Sequence, residues 1–182
     1  IDSTTLITGF TIQNGNAQSD SPNNAGGGMY LNNSNPNLLN SILWNNLPQE
    51  IYFQDDSDPD SITISFSDIQ GGESGILTNN NGIVNWMDGN IDANPIFCNP
   101  DSGDYTLAEN SPCVGTGEDD INMGAFGVGC GTIILAPVLT TIEDQQIAED
   151  SVLTIGVSAT SQGSYLHFTA TSDTSDVEVS LE

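Results

Sequence analysis

The sequence has no lysine and no arginine among its 182 residues, against 25 aspartates and glutamates. A chain without a strong cation cannot neutralise phosphates and release their counterions, so nucleic-acid binding is excluded on charge. An anionic membrane surface is an equally poor partner. No Lys– or Arg–carboxylate ion pair can form, so stability has to come from apolar burial, backbone pairing and side-chain amides. Salt or bound cations should relieve the self-repulsion of the acids. Two readings of that acidity stay open: a solvated surface on a secreted protein, or specific calcium sites.

Other scarcities narrow the field further. No stretch approaches the roughly 18 apolar residues of a membrane-spanning helix, so membrane insertion is not expected. Ile1 does not open a signal peptide, and "IDSTTLITGF" reads as the middle of a fold; a mature product or a piece of a longer chain is expected. Three cysteines, Cys98, Cys113 and Cys130, fall within 33 residues and nowhere else. They lack C-x-x-C spacing, which argues against zinc. One disulfide plus one buried thiol is the simplest account and favours an oxidising compartment. The expected pair is Cys98–Cys130, around the segment that holds Cys113, with the other pairings left open.

What the chain does have is self-similarity. "ITGFTIQNG" (7–15), "LLNSILWNN" (38–46) and "ISFSDIQGG" (64–72) align, which places Ile12, Leu43 and Ile69 at equivalent positions. A second set aligns Met29-Tyr30-Leu31 with Ile51-Tyr52-Phe53. Short apolar steps punctuated by Asn, Gly and Asp at a period of 20–35 residues fit the coils of a parallel β-helix. In such a solenoid one coil cannot bury its apolar side alone, whereas stacked coils line up Ile over Leu over Ile. Gly and Asn tolerate the left-handed backbone of tight corners. An antiparallel sandwich with similar turns is the competing architecture.

The stretches "FTIQNGNA…GGGMYLNNSNPNLLNSILWNN" and "SFSDIQGG" resemble the right-handed parallel β-helix repeats of large bacterial surface and secreted proteins. The block 89–131 resembles the segment that ends those helices, through Asn90-Ile91-Asp92, Asn94-Pro95-Ile96-Phe97, Gly103-Asp104-Tyr105-Thr106-Leu107, Ser111-Pro112-Cys113 and Met123-Gly124-Ala125-Phe126. In that family such arrays often precede immunoglobulin-like domains and a type IX secretion signal; no such signal is visible in this sequence. The block's apolar anchors (Ile96, Phe97, Tyr105, Leu107, Val114, Phe126) are expected to cover an open helix end, which otherwise exposes strand edges. Past Pro137 the pattern changes to clean alternation, and "PVLTTIEDQQIAEDSVLTIGVSAT…YLHFTATSD" resembles the first half of immunoglobulin- or cadherin-like adhesin repeats. Only 46 residues follow Ala136, about half of such a sandwich. Either the remainder lies elsewhere in a longer chain, or another copy completes it through Val152, Ile155, Val157, Leu166, Phe168, Val177 and Val179.

The fold class expected is therefore all-β. Residues 1–88 form parallel β-helix coils, 89–136 a C-terminal cap and linker, and 137–182 incomplete immunoglobulin- or cadherin-like strands. Parallel β-helices often act on polysaccharides, but a pectate-type lyase needs an Arg or Lys base and an acidic polymer that this charge repels. A hydrolase working by two carboxylates has only Asp55/Asp56 and Asp119/Asp120 as candidate pairs, and adjacent residues of a strand point to opposite sides. His167, the sole histidine, has no partner cysteines or acids in sequence and reads as structural. Trp44 and Trp86 are candidates for stacking on a sugar, with packing against the core as the alternative. "DDSDPD" sets Asp56, Asp58 and Asp60 at alternate positions like the start of a calcium loop, without that loop's later Gly and Glu. An ordinary inter-strand loop is the alternative there, and calcium is the one cofactor considered.

The expected role is non-catalytic: an extracellular structural or adhesive module at a bacterial cell surface. One form of it is a head-to-tail filament completed by strands from a neighbouring copy. The alternative is a carbohydrate-binding β-helix module, and the third a degenerate polysaccharide lyase or hydrolase. Partners would be copies of itself, adjacent domains of a longer chain, or surface glycans.

Overall fold

The computed structural model describes residues 1–18, 24–55, 58–136, 138–139 and 154–160. The described regular structure is β-strand with three single-turn 3₁₀ segments and no α-helix, an all-β chain. It divides into two compact units, Ile1–Ile133 and Ile134–Glu182. In chain order the first unit holds β1 (Leu6–Thr8), β2 (Thr11–Gln13), β3 (Met29–Leu31), β4 (Asn37–Leu39), β5 (Ile42–Trp44), β6 (Ile51–Phe53), β7 (Asp60–Ser65), β8 (Asp68–Ile69) and β9 (Gly82–Trp86). Then come β10 (Phe97–Asn99), β11 (Asp104–Ala108) and β12 (Val128–Cys130). The second unit contributes β13 (Val138–Leu139) and β14 (Ala159–Thr160), which pair antiparallel.

β1 to β9 sort into three strips in which every pairing is parallel: β1-β4-β7-β9, β2-β5-β8 and β3-β6. The registers coincide with the sequence repeats. Ile12 pairs with Leu43 and Leu43 with Ile69, while Met29, Tyr30 and Leu31 pair with Ile51, Tyr52 and Phe53. All three strips feed one apolar cluster that includes Leu31, Leu38, Leu43, Ile51, Phe53, Ile62, Ile64, Ile69 and Ile76. Burial of such side chains contributes about 1.5–3 kcal/mol each. A strand of three residues cannot stand alone in water; the shared core and the neighbouring repeats stabilise it.

The corners explain the Asn, Gly and Ser punctuation. Gly9, Asn40 and Phe66 follow directly on register-matched residues and all have positive φ (69°, 48° and 46°). Asn14, Asn45 and Gly71 form a second such row, at 55°, 58° and 83°. Asn and Gly adopt this left-handed backbone readily, whereas Phe66 adopts it at a steric cost. Side chains of each repeat then take up backbone N–H groups of the repeat before it. The N–H of Phe10 donates to Ser41 Oγ (3.2 Å), that of Ser41 to Ser67 Oγ (3.1 Å) and that of Ser67 to Asn90 Oδ1 (3.0 Å). On the neighbouring corner Gly15 donates to Asn46 Oδ1 (2.8 Å), Asn45 to Gln70 Oε1 (2.7 Å) and Gly71 to Asp92 Oδ1 (3.1 Å).

β10 to β12 form a separate small sheet, antiparallel then parallel, tied by the Cys98–Cys130 disulfide with Cα atoms 5.9 Å apart. The segment that includes β11 and runs to Ala125 packs sideways on the second strip. Leu107, Cys113 and Met123 share a second apolar cluster with Ile42, which points away from the Leu43 side of β5. Hydrogen bonds fix the contact at two repeats: Glu118 N–H to Asn40 Oδ1 (2.7 Å), Gly124 N–H to the Asn40 carbonyl (2.7 Å) and Ala125 N–H to Thr11 Oγ1 (3.0 Å). The reason lies in Ile42, an apolar residue on the outer side of a strand that needs cover of its own.

Candidate functional site

The corner between the second and third strips opens into a cleft of about 480 Å³. Three successive repeats line it: Asn14 from the first, the run Asn45 to Glu50 from the second, and Gln70, Gly71 and Gly75 from the third. The left-handed backbone at Asn14 and Asn45 turns the chain out of its strip and leaves both residues exposed. Gln70 is held by accepting the Asn45 N–H, and Gln49 by accepting the Gly26 N–H at 3.2 Å. Leu47, 48 % exposed, and Pro48, joined by a cis peptide, form an apolar ledge.

The lining includes a buried pair, Asn46 and Glu50. Asn46 donates its backbone N–H to Glu50 Oε1 (3.0 Å) and its side-chain amide to Glu50 Oε2 and to the Ile12 carbonyl. Burial pushes the Glu50 carboxyl up from its ordinary range, and the two Asn46 bonds partly oppose that. Both oxygens are engaged, and no other acid lines the cleft. The arrangement offers amide donors and acceptors for binding, with no second carboxylate for acid–base work.

A second buried carboxylate sits where the sideways segment meets the strips. Asp68 occupies the position that Ile42 holds one repeat earlier and is fully buried. Its Oδ1 accepts the Ala93 N–H (3.1 Å) and its Oδ2 the Cys113 thiol (3.2 Å). Desolvation dominates and pushes its carboxyl up to about 7. Burial first, and then the Asp68 charge and hydrogen bond, drive the Cys113 thiol well above its ordinary range. Such a thiol is not an activated nucleophile, so the pair is structural chemistry.

The remaining sequence candidates are scattered. Asp56 lies outside the described residues; Asp58 is exposed, whereas Asp60 is 1 % exposed at the start of β7. Asp60 Oδ1 accepts the Ser34 N–H (2.6 Å), and Oδ2 is buried with no hydrogen-bond partner among the described residues. No group of three or more His, Cys, Asp or Glu comes together for a metal among the described residues. Asp55, Asp119 and Asp120 are exposed. Trp44 packs against the second apolar cluster and Trp86 against the first, in different strips, so they do not form one stacking platform. The aromatics that do align are Tyr30 and Tyr52, stacked at 5.4 Å with the Tyr30 hydroxyl donating to Gln54 Oε1. Ile155 and Val157 are 43 % and 40 % exposed, whereas Val152, Leu166, His167, Phe168, Val177 and Val179 lie outside the described residues.

Sequence reasoning did not single out the amide cleft, the Asn46–Glu50 pair or the Asp68–Cys113 contact. For Asp68 a signal existed: an acid at the repeat position filled by Ile42 marks a side chain with a partner outside the array. Compared with protein-family models, curated proteins and solved structures, the chain matches none, so its own residues carry the functional reading.

Proposed function

We propose that this chain is a non-catalytic, extracellular structural or adhesive module, built as a right-handed parallel β-helix and belonging to a bacterial surface protein. One observation carries the reading: at both corner rows the side chains that could do chemistry are engaged in holding adjacent repeats together. Ser41, Ser67, Asn46, Gln70, Asn90 and Asp92 each take a backbone N–H from the repeat before. The buried acids Glu50, Asp60 and Asp68 sit apart with different partners. Such a framework is stiff and offers a surface more than a reaction centre. The disulfide and the charge of −25 suit an oxidising exterior.

The test is to couple the full chain to beads and measure retention of cells and glycan-coated surfaces, beside an assay for new reducing ends in polysaccharides. Retention without cleavage is expected; sustained release of reducing ends would overturn the reading in favour of an enzyme. The filament form has its own readout. Exposed Ile155 and Val157 favour it, and the mass by light scattering should rise with concentration. A constant monomer mass removes the filament and leaves the module.

A further inference from the structure

We infer that the cleft at the Asn14/Asn45 corner is a binding subsite for a neutral, hydroxyl-rich oligosaccharide, an inference that rests on the adhesive reading and names what is adhered to. A cleft of about 480 Å³ lies within the size range of small-ligand sites. The chemistry selects among ligands. Carboxamides both donate and accept, as sugar hydroxyls do, and Asn14, Asn45, Gln49 and Gln70 bring four of them to the opening. Gln49 and Gln70 each use the carbonyl oxygen in the bonds that fix them, and among the described residues no bond engages their NH₂ groups.

Spacing and preorganisation support the same choice. Asn14 and Asn45 directly follow the register partners Gln13 and Trp44, which end parallel strands spaced about 4.8 Å apart along the stack. That repeat is close to the length of one hexose ring, so neighbouring amides can address neighbouring hydroxyl pairs. Their backbones are fixed by the corner, which lowers the entropy lost on binding. The ledge of Leu47 and Pro48 supplies the apolar surface that the C–H side of a pyranose requires. Gly71 and Gly75 add to the lining without side chains. Charge excludes the alternatives: with no Lys or Arg and 25 acids, uronate or sulfated polymers are repelled.

The test follows the side-chain amide resonances of Asn14, Asn45, Gln49 and Gln70 in the full chain by NMR. The probes are maltotetraose, cellotetraose and mannotetraose, with tetragalacturonate as the acidic comparison. At least one neutral probe should shift these four resonances with a Kd of about 0.1–5 mM, and tetragalacturonate should not. The double variant Asn14→Gly/Asn45→Gly keeps the positive φ and should weaken binding about tenfold with little change in melting temperature. Leu47→Ser, at a half-exposed site outside both apolar clusters, should weaken it several-fold and serves where the double variant fails to fold. No shift with any neutral probe, shifts that map elsewhere, or equal binding of tetragalacturonate overturns the inference. Beads that still retain cells while all three probes fail would sink this subsite and leave the adhesive reading standing. Probe binding at these amides without bead retention would do the reverse.

Discussion

The repeat array and the segment leaning on it are both all-β, yet they are held by different means. In the array every pairing is parallel, and each corner bond reaches to the next repeat, 21 to 31 positions on. The leaning segment has mixed pairing, a disulfide, and bonds that reach back 78 and 114 positions. Its attachment carries a higher cost in loop closure, and the cross-link between Cys98 and Cys130 lowers that cost in the unfolded chain. The contrast teaches that periodic structure can be stabilised piecemeal, whereas a single docked segment needs a covalent tie and a specific seam.

The largest expected effect is at that seam. Asp68 is raised from 3.8 to about 7 in the folded chain, so the folded state binds more protons than the unfolded state between those values. Its stabilising contribution is complete below pH 3.8 and is lost as pH rises through about 7. Unfolding by urea should therefore show stability falling by up to about 4 kcal/mol from pH 4 to pH 8. Asp68→Asn should flatten that slope; an unchanged slope would place the titration elsewhere. Next, replacing Cys98 and Cys130 by serine, a separation of 32 residues, should cost about 4 kcal/mol. Hydrogen exchange should quicken first in β10 to β12, and equal quickening in β4 to β8 would erase the distinction between the two regions.

Leu43→Ala should cost about 3 kcal/mol, because Leu43 is fully buried between Ile12 and Ile69, and protection should fall across all three strips together. Loss confined to β5 would mean that the repeats do not share their core energetically. The smallest effect is expected at Ser67→Ala, which removes the acceptor for the Ser41 N–H at a buried corner, about 1 kcal/mol by calorimetry. A change too small to detect would show that water takes over the bond.

The array was legible in the sequence because its signal recurs. Ile12, Leu43 and Ile69 could be aligned by eye, and the structure pairs them. The joined cysteines are the pair named from the sequence. Where the segment around Leu107 and Met123 packs was not legible, since its contacts with Thr11 and Asn40 have no periodicity and no local trace. The cleft was hidden for a related reason. Asn14 and Asn45 read as corner residues, which they are, and only the turn of three stacked repeats brings them beside Gln49 and Gln70.

The corner bonds also have a direction. Phe10, Ser41 and Ser67, like Gly15, Asn45 and Gly71, always donate to a residue that comes later in the chain. Where the array folds from its N-terminus, these corner N–H groups of each repeat therefore wait for one successor and no more. In such an order only the two corner N–H groups of the last repeat formed stand open at a time. A duplicated repeat inserted in frame would inherit both halves of the bond, so lengthening such an array requires no new invention at its joints.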